Sequence, residues 1–271
     1  MARAAKDSDF GSGPIVRTEG LSVALGGRRV IDDVSLTIDE GEIFVIMGPS
    51  GSGKSTLFKA MLGLAPAAAG RIALFGRGLE SLSRERLLAM RRHIGVAFQG
   101  GALLNSMSVL ENVELPLTRH TDLAPNTIRI MSRMKLEMMN LSDVEDRFPS
   151  ELSGGMLKRA SLARAVIMDP KLLFFDEPSA GLDPISAAEL DEHILNLRDA
   201  HQMTIVIVTH ELVSALKIAD RIAVIDRGRL VALGEPGSVR QSEHPVVENL
   251  FARRPSSDET RLEGYLDRLT L

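Results

Sequence analysis

"GPSGSGKST", residues 48–56, follows directly on the apolar run "EIFVIM" at 42–47. Gly48 through Ser55 satisfies the pattern G-x-x-x-x-G-K-[S/T], and the strand before it and the helix expected over about 54–64 supply the context which that pattern requires. The glycines let the backbone curl with its N–H groups inward around an anion, and the following helix adds its positive N-terminal end. Lys54 can reach the outer phosphates of a nucleotide, while Ser55 offers a hydroxyl to Mg²⁺. The stretch Gly48, Pro49, Ser50, Gly51, Ser52, Gly53, Lys54, Ser55 and Thr56 thus reads as a cradle for a nucleoside triphosphate.

Beyond this stretch, β-branched runs recur at 30–38, 42–47, 94–98, 171–175, 204–210 and 221–226. Several are continuously apolar, as strands buried on both faces should be. Between them lie helical candidates at about 54–64, 84–92, 155–168, 185–200 and 211–219, and this alternation predicts an α/β core with helices covering a mostly parallel sheet. The rhythm breaks between about 99 and 165, where "SVLENVELPL", "TIRIMSRMKLEMMNL" and "GGMLKRASLARAVI" are helical in period with no strand between them, so a helical subdomain inserted into the sheet domain is expected. Residues 1–13 read as a flexible lead-in, 14–240 as the nucleotide-binding domain, and 241–271 as a C-terminal extension. In that extension a helix is expected over 258–271, where Leu262, Tyr265, Leu266 and Leu269 fall at helical spacing and call for a surface to cover on the partner copy or an accessory subunit, the alternative being that it packs on its own domain or frays.

A second acidic element closes the apolar strand "LLFFDEP". In a parallel sheet, ligands gather at the carboxyl ends of strands, which puts Asp176 and Glu177 beside the phosphate loop. Asp176 is expected in the Mg²⁺ shell and Glu177 as the group that orients or deprotonates an attacking water. His210, at the end of "TIVIVTH", terminates another buried strand on the same rim and is either a structural histidine or one that touches the γ-phosphate. Gln99, after "IGVAF", has the same topology and reads either as a surface glutamine or as a neighbour of the metal and water.

Composition narrows the partners. With 271 residues and 44% hydrophobic content the chain can fill a real core. A formal charge of −4 argues against a surface built for nucleic-acid phosphates. No cysteine means no disulfide and no Cys-ligated metal. The N-terminal segment lacks the apolar region of a signal peptide, and no stretch approaches the ~18 apolar residues that span a bilayer.

"ELSGGMLKRASLARA" then supplies a serine N-cap, Ser153, followed by Gly154 and Gly155 at the positive end of a helix, a second anion site. With this element the chain resembles the nucleotide-binding subunits of ABC transporters, a P-loop NTPase family. There "LSGG" is the signature, "GPSGSGKST" the Walker A loop, "LLFFDE" the Walker B strand, "SAGLD" the D-loop, Gln99 the Q-loop residue and His210 the switch histidine. All six motifs occur in family order across about 15–240. The resemblance implies the ABC-type fold, with a small antiparallel β part, and an ATPase using ATP and Mg²⁺. It implies a homodimer in which the signature of one copy meets the nucleotide held by the other, with Asp183 near the interface. It further implies Glu177, His210 and Lys54 as catalytic residues, Ser55, Gln99 and Asp176 around the metal, and the phosphate loop, Gln99, Ser153, Gly154, Gly155 and Asp183 around the nucleotide.

One departure is visible: the family places an aromatic residue just before "GGRRV" to stack on adenine, and this chain has Leu25, no tryptophan and a single tyrosine, at 265. The stretch "FQGGALLNSMSVLENVELPL", with "HTDL" and "MKLEMMNL", looks like the Mla/Mce-type ATPases that serve phospholipid transport across the envelope of Gram-negative bacteria, and their chloroplast relatives. That resemblance implies a peripheral subunit on the cytoplasmic face of the inner membrane, an integral membrane permease, an MCE-domain periplasmic protein and a small accessory subunit, and no nucleic acid. Other cargoes, such as amino acids, lipoproteins or drugs, and a soluble ABC-type ATPase acting on DNA or the ribosome, are the competing expectations. Met131, Met134, Met138 and Met139 form either a groove for a permease helix or plain core packing.

Overall fold

The computed structural model describes residues 13–252. The expected lead-in, apart from Gly13, and the 258–271 helix lie outside the described residues. Six strands form one sheet in the order β10 (Arg229–Gly234), β9 (Arg221–Asp226), β3 (Ile43–Met47), β8 (Thr204–Val208), β7 (Leu172–Asp176), β6 (Ile94–Ala97). From β9 to β6 all neighbours are parallel, and β10 closes the edge antiparallel to β9.

Both faces of this sheet are covered, which explains the unbroken apolar runs. Along β3, Ile43, Val45 and Met47 enter one core while Phe44 and Ile46 enter another; β8 splits in the same way, Ile205 and Ile207 against Val206 and Val208. Successive side chains of a strand point to opposite faces, so a strand with two buried faces must be apolar at every position. The first core is shared with α3 (Val109–His120), α4 (Pro125–Met138), α5 (Gly154–Val166), α6 (Pro184–His201) and α7 (Leu212–Ile218). The second holds α1 (Lys54–Met61) and a four-stranded antiparallel sheet. There Phe58 of α1 meets Phe174 of β7 edge to face, with ring centroids 5.5 Å apart, a favoured aromatic geometry.

The antiparallel sheet runs β2 (Arg28–Ile38), β1 (Val16–Leu25), β4 (Ala69–Leu74), β5 (Arg77–Gly78). Here the sequence reading is corrected, because the run at 30–38 belongs to this sheet and not to the parallel core. Its burial shows the reason: Ile31, Val34, Leu36 and Ile38 are buried while Arg28, Arg29, Asp33 and Ser35 are exposed, the pattern of a strand with only one covered face. The strands β1, β4, β5 and β10 were not foreseen.

The helices α3, α4 and α5 all lie between β6 and β7, with α2 (Arg84–Arg91) before β6 and α8 (Pro236–Arg240) and α9 (Pro245–Ala252) after β10. Their starts are chemically marked. Ser108 caps α3 in a capping box with Glu111, and Ser153 and Asp183 cap α5 and α6, each satisfying amide donors that a helix end leaves without partners. The methionines of α4 divide between the two readings. Met139, the residue after the helix, is buried and Met131 packs against the core, whereas Met134 and Met138 are exposed beside the exposed Ile130.

Candidate functional site

The loop after β3 has to turn sharply into α1, and its glycines are forced by their surroundings. Gly48 has φ +148°, and a Cβ there would stand 2.0 Å from the Ile225 carbonyl oxygen at the end of β9; at Gly53, φ +108°, it would stand 2.8 Å from Ile31 Cδ1 of β2. Any side chain at either position collides with a neighbouring strand. The Gly228 amide, in the turn between β9 and β10, donates to the Ser52 carbonyl over 2.8 Å, so both sheets brace the loop.

Lys54 is buried inside this loop, its Nζ donating to the carbonyls of Gly48 (2.8 Å) and Pro49 (2.9 Å). Burial lowers its pKa, against the opposing pull of the Glu177 and Asp176 charges. An ammonium held dry on neutral carbonyls lacks an anion, and a polyphosphate would supply one. Ser52 Oγ is buried with no hydrogen-bond partner among the described residues, a second unsatisfied group in the same loop. Ser55 and Ser50 are exposed, and Pro49 and Thr56 are half-buried.

Three further strand ends share this rim, because β3, β8, β7 and β6 are consecutive parallel neighbours. Asp176 is the last residue of β7, and its carboxyl pKa is raised, first by burial and second by the charge of Glu177, with Lys59, Lys158 and Lys54 opposing. Glu177, buried, has φ +51°, a left-handed conformation that costs a non-glycine residue about 1 kcal/mol or more. Its amide donates to the Val208 carbonyl over 2.8 Å. Its carboxylate accepts from Thr209 Oγ1 at 3.2 Å and the His210 amide at 3.4 Å, and His210 Nδ1 lies 2.9 Å from it. The strain of the turn is thus held from β8, and Glu177 is aimed before any substrate arrives. Gln99, exposed, lies two residues beyond β6, and the chain after it is tied to α5: Ser161 Oγ donates to the Gly101 carbonyl at 2.8 Å and Arg164 to the carbonyls of Gly101 and Ala102 at 3.1 and 2.8 Å.

The phosphate loop, Asp176, Glu177, His210 and Gln99 therefore stand on one rim of one chain. Ser153, Gly154, Gly155 and Asp183 occupy a different edge. Ser153 accepts from the Met156 amide at 3.3 Å, and positions beside Gly154 and Gly155 are taken by Leu182 and Ser186 of the D-loop and α6. Among the described residues, the hydrogen bonds and close approaches of Ser153–Gly155 reach α5, the D-loop and α6, and none reaches the phosphate loop. Asp183 accepts from the amides of Ile185 and Ser186, both at 3.0 Å, and from Ser186 Oγ, which lowers its pKa. Leu25, where a base-stacking aromatic is expected, ends β1 about half exposed.

Two contributors went unread in the sequence. Thr209, inside "TIVIVTH", and Lys158, inside "GGMLKRASLARAVI", are given no role by the sequence reading. The signal for Lys158 was its place four and eight residues before Leu162 and Val166 on the buried face of α5; a lysine on such a stripe is seldom buried without a partner.

Asp176, whose burial beside Glu177 raises its pKa, the Ser55 hydroxyl and the Gln99 amide offer hard oxygen donors, a chemistry that fits Mg²⁺. No group of three or more His, Cys, Asp or Glu side chains arranged to hold a metal ion is found among the described residues.

Such a fold and rim define a P-loop ATPase. Residues 31–180 match the ABC transporter family model, and the chain belongs to that family as one of its ATP-hydrolysing subunits. It is 38% identical over 237 residues, 88% of each chain, to the intermembrane phospholipid transport system ATP-binding protein MlaF of Escherichia coli K12. It is equally 38% identical over 250 residues, 92% of this chain and 70% of the other, to the probable ribonucleotide transport ATP-binding protein mkl of Mycobacterium tuberculosis. Among solved structures it resembles cbiO1 of Clostridium perfringens, part of the ABC transporter complex cbiONQ, with a TM-score of 0.78, 28% identity and coverage of 88% and 95%. The cassette MJ0796, in a dimeric post-hydrolysis state bound to ADP and Pi, gives a TM-score of 0.76, 29% identity and coverage of 82% and 98%.

Proposed function

We propose that this chain is the motor of a phospholipid transporter of the bacterial envelope, working as a homodimer on the cytoplasmic side of an integral membrane permease, with an MCE-domain protein and a small accessory subunit in the assembly. The observation that carries the cargo is the 38% identity to a phospholipid transport ATPase sustained over 88% of both chains. No described helix is long and apolar enough to cross a membrane, which is why the path for the cargo is assigned to another chain. A second reading, ribonucleotide cargo, has the equal identity to mkl in its favour. Reconstituted with its permease, the chain should show ATPase activity stimulated by phospholipid and indifferent to added ribonucleoside monophosphate; the reverse response would transfer the assignment to the second reading.

In the mechanism inferred from the rim, the triphosphate lies on the amides of Gly48–Thr56, and Lys54 exchanges the carbonyls of Gly48 and Pro49 for phosphate oxygens. Ser55, Asp176 and Gln99 are the residues that would hold Mg²⁺, which when bound neutralises phosphate charge. Glu177 accepts the proton of the water that attacks the γ-phosphorus, and the terminal phosphate leaves from ADP. His210, joined to the Glu177 carboxylate through Nδ1, keeps that carboxylate oriented. Ser153, Gly154, Gly155 and Asp183 complete the site of the other copy.

Base recognition should be loose. Leu25 presents an aliphatic chain at the end of β1, which gives dispersion and no π-face or hydrogen bond to tell adenine from guanine. Affinities for Mg-ATP and Mg-GTP measured by titration calorimetry should agree within about threefold, since one lost base contact is worth little more; an ATP preference beyond about a hundredfold would reject this reading.

A further inference from the structure

Lys158 lies in the second turn of α5, inward, with 6% of its surface exposed. Its Nζ donates to the main-chain carbonyl of Glu177 over 2.8 Å, its one hydrogen bond among the described residues. No carboxylate oxygen lies within ion-pair distance among the described residues, although the charges of Glu177 and Asp176 both favour its protonated form against its burial. An ammonium brought out of water for a neutral carbonyl is an expensive arrangement, one that apolar packing would replace without loss. What it holds is the most constrained peptide of the site. The Glu177 amide is bound to β8, its carboxylate to Thr209 and His210, and its φ of +51° sits between; the carbonyl is the remaining polar group, and it accepts from Lys158 at 2.8 Å, the shorter bond, and from the Ala180 amide at 3.4 Å.

We propose that Lys158 is a positioning residue for Glu177, fixing the left-handed turn after β7 so that the register of α5 against that strand sets where the carboxylate stands. The inference rests on the reading of Glu177 as the base. Because Ser153 caps the same helix five residues earlier, about 7 Å along its axis, a displacement of the signature end of α5 is carried by a rigid element to the base of its own chain. The lysine acts through the peptide it holds.

The test uses the full-length chain assembled with its permease. Lys158→Met keeps length and removes donor and charge; Lys158→Arg keeps both. We expect Lys158→Met to lower kcat by about ten- to hundredfold, the scale of a misplaced catalytic group, with KM for Mg-ATP and the Kd for ATP unchanged within about twofold. Lys158→Arg should recover most of that loss, and Lys158→Met on a Glu177→Gln background should add almost nothing, since both act on one group. Thermal unfolding of each variant checks the fold, and Lys158→Gln replaces Lys158→Met under the same criteria if the latter does not fold. A Lys158→Met enzyme with normal kcat, a loss carried in KM, or an undiminished effect on Glu177→Gln would overturn the proposal. If instead Glu177→Gln alone turns over normally, it is the assignment of the base that fails.

Discussion

Glu177→Gln should bind Mg-ATP as well as the parent chain does while its turnover falls by about two to four orders of magnitude, the usual contribution of a positioned general base. The substitution is close to isosteric, and the structure indicates which contacts survive it. The amide of residue 177 still donates to Val208, its carbonyl still accepts from Lys158, and a glutamine oxygen still accepts from Thr209 Oγ1 and the His210 amide. What is lost is the basicity, and with it the place for the proton of the attacking water, together with the carboxylate oxygen 2.9 Å from His210 Nδ1, where the glutamine NH2 now stands. Lys54 and the loop glycines, proposed to hold the phosphates, are untouched, so KM and nucleotide affinity should stay within about threefold while kcat collapses, the signature of an interaction made only in the transition state. Single-turnover ATPase measurements beside equilibrium binding decide it, and a variant retaining more than about a tenth of the parent kcat would remove Glu177 as the base, because that residue would then be worth less than ~1.4 kcal/mol of barrier.

How much of this was readable from the chain alone follows from how local each signal is. The phosphate loop is written in nine consecutive residues because backbone curvature, anion binding and helix start are all set there, and the structure adds only why Gly48 and Gly53 tolerate nothing larger: Ile225 and Ile31 stand against them. The central strands were legible because burial on both faces leaves an apolar run. β1 and β4 were missed for the opposite reason. Their one-sided alternation is interrupted by Gly20 and Gly70 and by register shifts in the β1 pairings, so the period of two never runs long enough to stand out. Thr209 and Lys158 act across separations of 32 and 19 residues, contacts that no local pattern encodes. His210 was placed on the right rim, yet its pairing with Glu177 through Nδ1 depends on β7 and β8 being neighbours.

Two inactive chains should restore activity to each other. In one copy the exposed helix end at Ser153 and Gly154 has Leu182 and Ser186 as neighbours and, among the described residues, no contact with its own phosphate loop, so on the proposed reading a triphosphate held by Lys54 meets its signature from a second copy. Ser153→Arg puts bulk and a cation where a phosphate should dock while removing an N-cap worth about 1 kcal/mol. That chain should fold, bind ATP at its intact loop and lose turnover by more than about a hundredfold, the scale seen when a transition-state donor is removed. Lys54→Ala has the complementary defect: an intact signature and no hold on the outer phosphates. Mixed in equal amounts with the permease present, half of all pairs contain one of each, and in such a pair one site combines the good loop of the first with the good signature of the second. About a quarter of parent activity per site should therefore return on mixing, as statistics of a two-fold assembly require. If each chain carried a complete site of its own, both sites of the mixture would stay defective and nothing would return. Absence of recovery at every mixing ratio, with the mixed pair demonstrated by pull-down of differently tagged chains, would therefore refute the shared-site arrangement while leaving the role of Glu177 standing.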